Sequence, residues 1–193
     1  GNSWGTRPDT TGPYYQPEKW SESDRIAAAL RGALAKAEGD EAAFLIAELA
    51  RHQVRLDGTL DRALAMARSN PALVPAAISE LGRSREIPAE AVELLRATAA
   101  DLQADAALRS QAAICLVRTG DAANFQRAFG TMVDLDDRYG RQRPWEQLWH
   151  ALREPRVLGP QMGWLQEAVQ LDGKIGFWAD AAVLTLATNK ESS

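Results

Sequence analysis

A five-fold echo of one helix, small at its start and aliphatic behind, recurs along this chain every 34 to 36 residues. It runs Ala42-Ala43-Phe44-Leu45-Ile46, Ala76-Ala77-Ile78-Ser79-Glu80-Leu81, Ala112-Ala113-Ile114-Cys115-Leu116, a degenerate Gln147-Leu148-Trp149-His150-Ala151-Leu152, and Ala181-Ala182-Val183-Leu184-Thr185-Leu186. A fixed period in that range marks stacked helical hairpins, each unable to bury its apolar face without a neighbour. β-branched residues are sparse and no stretch alternates at period two, so no sheet is expected. The expected fold is all-α: a right-handed α-solenoid of about five helical hairpins with an extended N-terminal arm.

The pattern divides the chain into an arm over residues 1–20, the array over 21–189 and a polar, frayed tail over 190–193. The arm holds Pro8, Pro13 and Pro17 with Trp4, Tyr14, Tyr15 and Trp20, and prolines so close together exclude a stable helix. Its aromatics are expected to pack over the first hairpin and seal an open end of the array. Ser21 and Ser23 offer N-cap oxygens to a first helix with Ile26, Leu30, Ala33, Leu34 and Ala37 on one face and Gly39 at its end. Its partner carries Phe44, Leu45, Leu49 and His52. The second hairpin places Leu60, Leu64 and Ala67 in one helix, then Pro71 near the start and Gly82 near the end of the next. The third opens at Pro88 and crosses Ala104-Asp105 into a helix from Ala107 to about Arg118. The fourth opens at Asp121, spaces Phe125, Phe129, Met132 and Leu135 helically, and resumes after Pro144. The fifth pairs a helix near Gln161 to Leu171 with one holding Phe177, Trp178, Val183, Leu184 and Leu186.

Charge and cysteine content narrow the chemistry. A net charge of -4 argues against sequence-independent nucleic-acid binding, which needs an excess of Lys and Arg on one face. A single cysteine, Cys115, excludes an internal disulfide and a thiolate metal cluster. No apolar run approaches the ~20 residues that span a bilayer. The opening Gly1-Asn2-Ser3, without methionine, is expected of an excised or processed piece.

The segment Asp105-Ala106-Ala107-Leu108-Arg109-Ser110-Gln111-Ala112-Ala113-Ile114-Cys115-Leu116 resembles the core of a HEAT repeat, in which an aspartate, an aliphatic and an arginine precede a small-residue helix. The resemblance implies that Asp105 caps the second helix and that Arg109 reaches a neighbouring repeat, as a structural ladder element. The other repeats keep the small and aliphatic positions without the Asp and Arg. The stretch Trp4 to Tyr15, followed by Trp20-Ser21-Glu22-Ser23-Asp24-Arg25-Ile26, resembles a junction in large multidomain proteins of planctomycete-type bacteria. Those proteins join a sugar-dehydrogenase-like propeller, a HEAT array and a cytochrome c domain, and are exported. The resemblance implies a spacer and docking segment in an exported or periplasmic protein; without it the expected compartment is the cytoplasm. The chain has no CxxCH, so no haem attachment is expected within it.

No catalytic, cofactor or metal residues are expected. His52 and His150 lack the partners of a helical metal pair, apart from Glu146 four residues before His150. The acidic groups Asp136-Asp137, Glu38-Asp40-Glu41 and Asp101-Asp105 fall at helix ends, where capping explains them. Gly-x-Ser-x-Gly elbows, P-loops and dinucleotide fingerprints are absent.

The residues expected to meet a partner are Arg138, Tyr139, Arg141, Arg143 and Trp145, with Trp149 beside them, because Arg and Trp carry most binding hot spots. The competing reading buries Trp145 and Trp149, four residues apart, on one helical face. A second basic cluster, Arg83 and Arg85 with Arg51 and Arg55, falls at hairpin ends. The expected function is that of a non-catalytic interaction or scaffold module, docking a protein partner or neighbouring domains of a larger chain. Two alternatives come from other classes: a HEAT-like DNA-binding or DNA-glycosylase protein using the same arginines and tryptophans, and carbohydrate binding by the aromatic arm.

Overall fold

Prolines and short polar side chains set where the helices begin. The computed structural model describes residues 22–51, 54, 56, 58–137 and 143–190, and among these every regular element is helical. α1 (Ser23–Lys36) and α2 (Gly39–Arg51) come first. α3 (Thr59–Ala67) leads through a 3-10 turn at Pro71–Leu73 into α4 (Val74–Arg83). A second such turn, Ala89–Ala91, opens α5 (Val92–Ala100), followed by α6 (Ala106–Val117). α7 (Ala122–Leu135) and α8 (Pro144–Leu152) follow, then the single turn α9 (Pro155–Leu158), a 3-10 turn at Gly159–Gln161, α10 (Met162–Ala168) and α11 (Lys174–Lys190). The arm expected over 1–20 lies outside the described residues, as do His52, Arg55 and the tail residues 191–193.

The starts obey capping chemistry. The Asp105 carboxylate accepts from the amides of Ala107 and Leu108 at 2.8 and 3.3 Å, Asp121 accepts from Asn124 at 2.9 Å, and Asn70 accepts from Ala72 at 3.2 Å. Pro75, Pro144 and Pro155 occupy first turns, where a missing amide hydrogen leaves no bond unmade. Three local expectations differ from what forms. Glu22 holds the N-cap position of α1 without a side-chain capping bond, and its carboxylate pairs with Arg25 at 2.9 Å instead. α1 stops at Lys36 because Ala37 turns extended, and Gly39, at φ +49°, opens α2 rather than closing α1. α9 went unforeseen because a single turn contains no repeat of the helical period.

Consecutive helices pack in pairs: α1 with α2, α3 with α4, α5 with α6, α7 with α8, and α10 with α11. The second members of the first four pairs also touch in succession, α2 on α4, α4 on α6 and α6 on α8, while α5 lies against α7. The echoed small residues form these contacts. Ala42, Ala77, Ala112, Ala113 and Ala182 are all fully buried, and alanine lets helix backbones approach closely without loss of side-chain entropy. Around them Ile46, Ile78, Leu81, Leu95, Leu116 and Phe129 fill the core. The register of this seam turns some large residues outward. Ala42, Ile46 and Leu49 form the buried stripe of α2, so Phe44 sits on the opposite side and is 63% exposed; in α11, Leu184 lies off the Ala182 and Leu186 stripe for the same reason. Gly176 marks the closest backbone approach, since a Cβ there would overlap the Leu171 carbonyl.

The far ends of the helices are closed by cations from elsewhere in the chain. Arg118, at the end of α6, donates to the carbonyls of Leu81 and Gly82 at 3.1 Å, of Arg85 at 3.3 Å and of Ser84, all at the end of α4. Arg62 of α3 donates to the Leu34 and Ala37 carbonyls at the end of α1. Arg109 Nε donates to Ala99 O at 3.1 Å, at the end of α5, and Lys174 Nζ to Asp136 O at 2.9 Å, at the end of α7. Each pairs a full charge with the negative end of a helix dipole and with carbonyls that have no partner in their own helix. Replacing Arg118 with Met is expected to cost about 2 kcal/mol, which lowers the melting temperature by about 4–8 °C for a chain of this size. Arg156→Met, which removes an exposed arginine paired with Glu154 at 2.6 Å, is expected to shift it by less than about 2 °C. Thermal unfolding followed by circular dichroism compares the two.

Candidate interaction surface

Tryptophans dominate the region expected to bind a partner, and their surroundings decide what they can offer. Arg138, Tyr139 and Arg141 lie outside the described residues. Arg143 precedes α8, is exposed and pairs with Glu146 at 2.9 Å. Trp145 is only 9% exposed: its Nε1 donates to Asp137 O at 3.3 Å, and its ring lies 5.2 Å from that of Trp178. Trp149, half-buried, stacks on the same ring at 4.9 Å. Trp178 Nε1 in turn donates to Asp136 Oδ2 at 2.9 Å. These three rings join α8 to α11, and the indole N–H groups of Trp145 and Trp178 find acceptors at the end of α7. Asp136 thus works at a helix C-terminus, as a buried acceptor for Trp178, rather than as an N-terminal cap. A second aromatic group, Phe125, Phe129 and Trp164, joins α7 to α10 with edge-on contacts at 5.9 and 5.3 Å.

Asp105 and Arg109 sit one turn apart at the start of α6. Asp105 caps that helix, while Arg109, 6% exposed, bonds the end of α5 and lies 3.5 Å from Asp134 Oδ2 on α7. The adjacent Ser110 Oγ donates to Pro144 O at 2.7 Å. Two successive residues of α6 therefore bind α5, α7 and the first residue of α8.

On the other side of the α2, α4, α6 and α8 row lies a groove of about 540 Å³, lined by Ala50, Ser79, Arg83, Gln111, Ile114 and Gln147. Every one of the four helices contributes to it. Apart from Ile114 and Arg83, which is paired with Glu80, its walls are small or carry amides, so it presents hydrogen-bonding groups without a strong net charge. Arg83 pairs with Glu80, and Arg51 with Glu48 at 2.9 Å, so these members of the expected basic cluster are neutralised by acids one turn away, while Arg85 is exposed. Sequence reasoning singled out neither Gln111 nor Gln147 as a lining residue. Their only signal is a polar side chain on a helix whose opposite face carries the repeat.

Glu146, four residues before His150, pairs with Arg143 at 2.9 Å. Among the described residues no three His, Cys, Asp or Glu side chains come together. Cys115 is fully buried at the floor of the groove, and burial pushes its thiol from the usual value near 9 up to about 11, against a smaller opposing pull from Arg118. No protein-family model, curated protein or solved structure matches the chain.

The thiolate is the reactive form, so at pH 8 Cys115 is expected to react with a disulfide reagent about a hundredfold more slowly in the folded chain than in denaturant. The same shift links to stability. A thiol held above its unfolded value favours the fold below pH ~9, and that contribution disappears as pH rises from about 9 through 11. Urea midpoints of the native chain should fall across that interval, and those of Cys115→Ala should fall less.

Proposed function

We propose that this chain is a non-catalytic docking module: a right-handed α-solenoid of about five HEAT-like hairpins that holds a protein partner, or neighbouring domains of a larger chain, against the row of second helices. The observation that supports this most is the groove shared by α2, α4, α6 and α8. A surface to which each of four successive second helices contributes suits another polypeptide better than a compact metabolite. Ser79, Gln111 and Gln147 supply donors and acceptors there. Arg143, exposed just before α8, and Arg141, two residues earlier in the sequence, are the cations that would add charge at the rim, where it steers encounter and sets register more than it adds affinity.

In this reading the aromatic arm serves as a cap for the first hairpin, whose Ile26 and Phe44 are exposed among the described residues. Asp105 and Arg109 are the ladder element that sets the angle between the third and fourth hairpins.

The test compares two variants in capture of the partner from native lysate, quantified against the unmodified chain. Gln111→Trp fills the groove, and Arg141→Glu with Arg143→Glu reverses the rim charge. Each is expected to reduce capture about tenfold while leaving the melting temperature within about 2 °C. Capture undiminished by Gln111→Trp removes the groove from the proposal, and capture undiminished by the double reversal removes the rim.

A further inference from the structure

A second cleft, of about 550 Å³, opens where the end of α6, the start of α7, the end of α8 and α9 converge. Its floor is apolar: Ile114, Val117, Phe125, Ala151, Val157 and Pro160. Its rim carries two bases and two acids, Arg118 and Arg156 against Asp121 and Glu154, so it favours neither a cation nor an anion. All four are engaged. Arg118 is bonded to the carbonyls at the end of α4, Glu154 and Arg156 pair at 2.6 Å, and Asp121 caps α7 through the Asn124 amide at 2.9 Å.

Gln161 is different. It lines the same cleft from the 3-10 turn before α10, and it is 8% exposed, yet its carboxamide makes no hydrogen bond among the described residues. Its amide atoms are not sealed from solvent, so they keep a hydrogen-bonding capacity that a ligand in the cleft can use in place of water. A carboxamide presents one acceptor and one donor group side by side, which is the complement of a peptide group. An apolar floor beneath a charge-neutral rim accepts a branched or aromatic side chain.

We propose that this cleft binds an extended peptide segment, with an apolar anchor side chain on the Phe125 and Val157 floor and a backbone amide paired with the Gln161 carboxamide. The site shares Ile114 with the groove on the second-helix row but opens on other helices, and it does not depend on that groove being a docking surface. A charged ligand fits poorly, because no ionised group of the rim is left without a partner. A purely apolar ligand fits poorly too, because it leaves the Gln161 amide unpaired.

The probes are N-acetyl-leucinamide and N-acetyl-phenylalaninamide, titrated into the isotope-labelled chain by NMR. Cyclohexanol serves as an apolar control without an amide. The expected result is saturable shifts of the Gln161 side-chain amide and of the Val117 and Val157 methyl groups with the capped amides, at least fivefold weaker with cyclohexanol. Gln161→Leu is expected to weaken the capped amides about tenfold without lowering the melting temperature, because the amide it removes makes no bond within the described residues. Ala151→Phe fills the cleft from a half-buried position and is expected to abolish the shifts, which keeps the test decisive should Gln161→Leu fold poorly. The proposal is overturned by an absence of shifts at ten millimolar probe, by equal binding of cyclohexanol, or by binding that survives both substitutions.

Discussion

The carbonyls at the ends of short helices are the constraint on which this structure turns. Helices of nine to fourteen residues, such as α3 to α8, leave a large share of their backbone acceptors outside any intrahelical bond. When such ends are pressed against one another rather than left in water, each needs a donor from elsewhere. The chain answers with cations placed roughly one hairpin further along: Arg62 reaches back 28 and 25 residues, Arg118 reaches back 37 and 36, and Lys174 reaches back 38. Arg109 does the same over 10 residues, inside one hairpin. A guanidinium suits this work because its several N–H groups fan out in one plane, so Arg118 alone serves four carbonyls. The bonds also fix the offset between successive pairs, since a cation that must meet particular carbonyls leaves its helix little freedom to slide.

Close approach of the helix bodies follows from the same economy of size. The fully buried alanines at Ala42, Ala77, Ala112 and Ala182 draw the backbones together, and that proximity brings an arginine on one pair within reach of the end of another. Larger residues at the seam would separate the helices and leave both the core and the caps short. The aromatic residues are spent elsewhere, at the C-terminal side, where Trp145, Trp149 and Trp178 fill the wider gap between α8 and α11. There Asp136 supplies acceptors from both its side chain and its carbonyl, to Trp178 and Lys174. With ends and seams occupied in this way, the outward side of the second-helix row is left to small residues and glutamines.

Local signals were legible in the sequence and tertiary ones were not. Asp105, Asp121, Pro71 and Pro144 mark helix starts because their effect lies within one turn, and each stands where its chemistry requires. The apolar spacing of α5 and α7 likewise defines the helix that contains it. The outward turn of Phe44 and Leu184 was not legible, because apolar side chains lie on both sides of the seam and only packing chooses between them. Nothing local in the sequence marks Arg62 or Arg118 as a cap, since their acceptors lie 25 to 37 residues away. The candidate region was legible only as a set of residue types. Burial of Trp145 depends on Trp178, far along the chain, and the groove depends on four helices that share no sequence neighbourhood.

Arg118 also explains why polar recognition near it falls to a neutral side chain. It lines the cleft beside α9, and on its other side a second hollow of about 680 Å³ bounded by Arg85, Glu93 and Asn124. From its position alone it is the obvious anion receptor for either. Its guanidinium is already shared among the carbonyls at the end of α4, so binding a carboxylate or phosphate there means giving up those bonds and unsettling the helix they close. Any affinity gained is offset by a loss of comparable size in the fold. A group with a free hydrogen-bonding capacity and no structural duty carries no such penalty, and in this cleft that group is Gln161. Structural capping and ligand recognition thereby fall to different residues of one cleft, so a substitution at one can be told from a substitution at the other by whether it moves stability or binding.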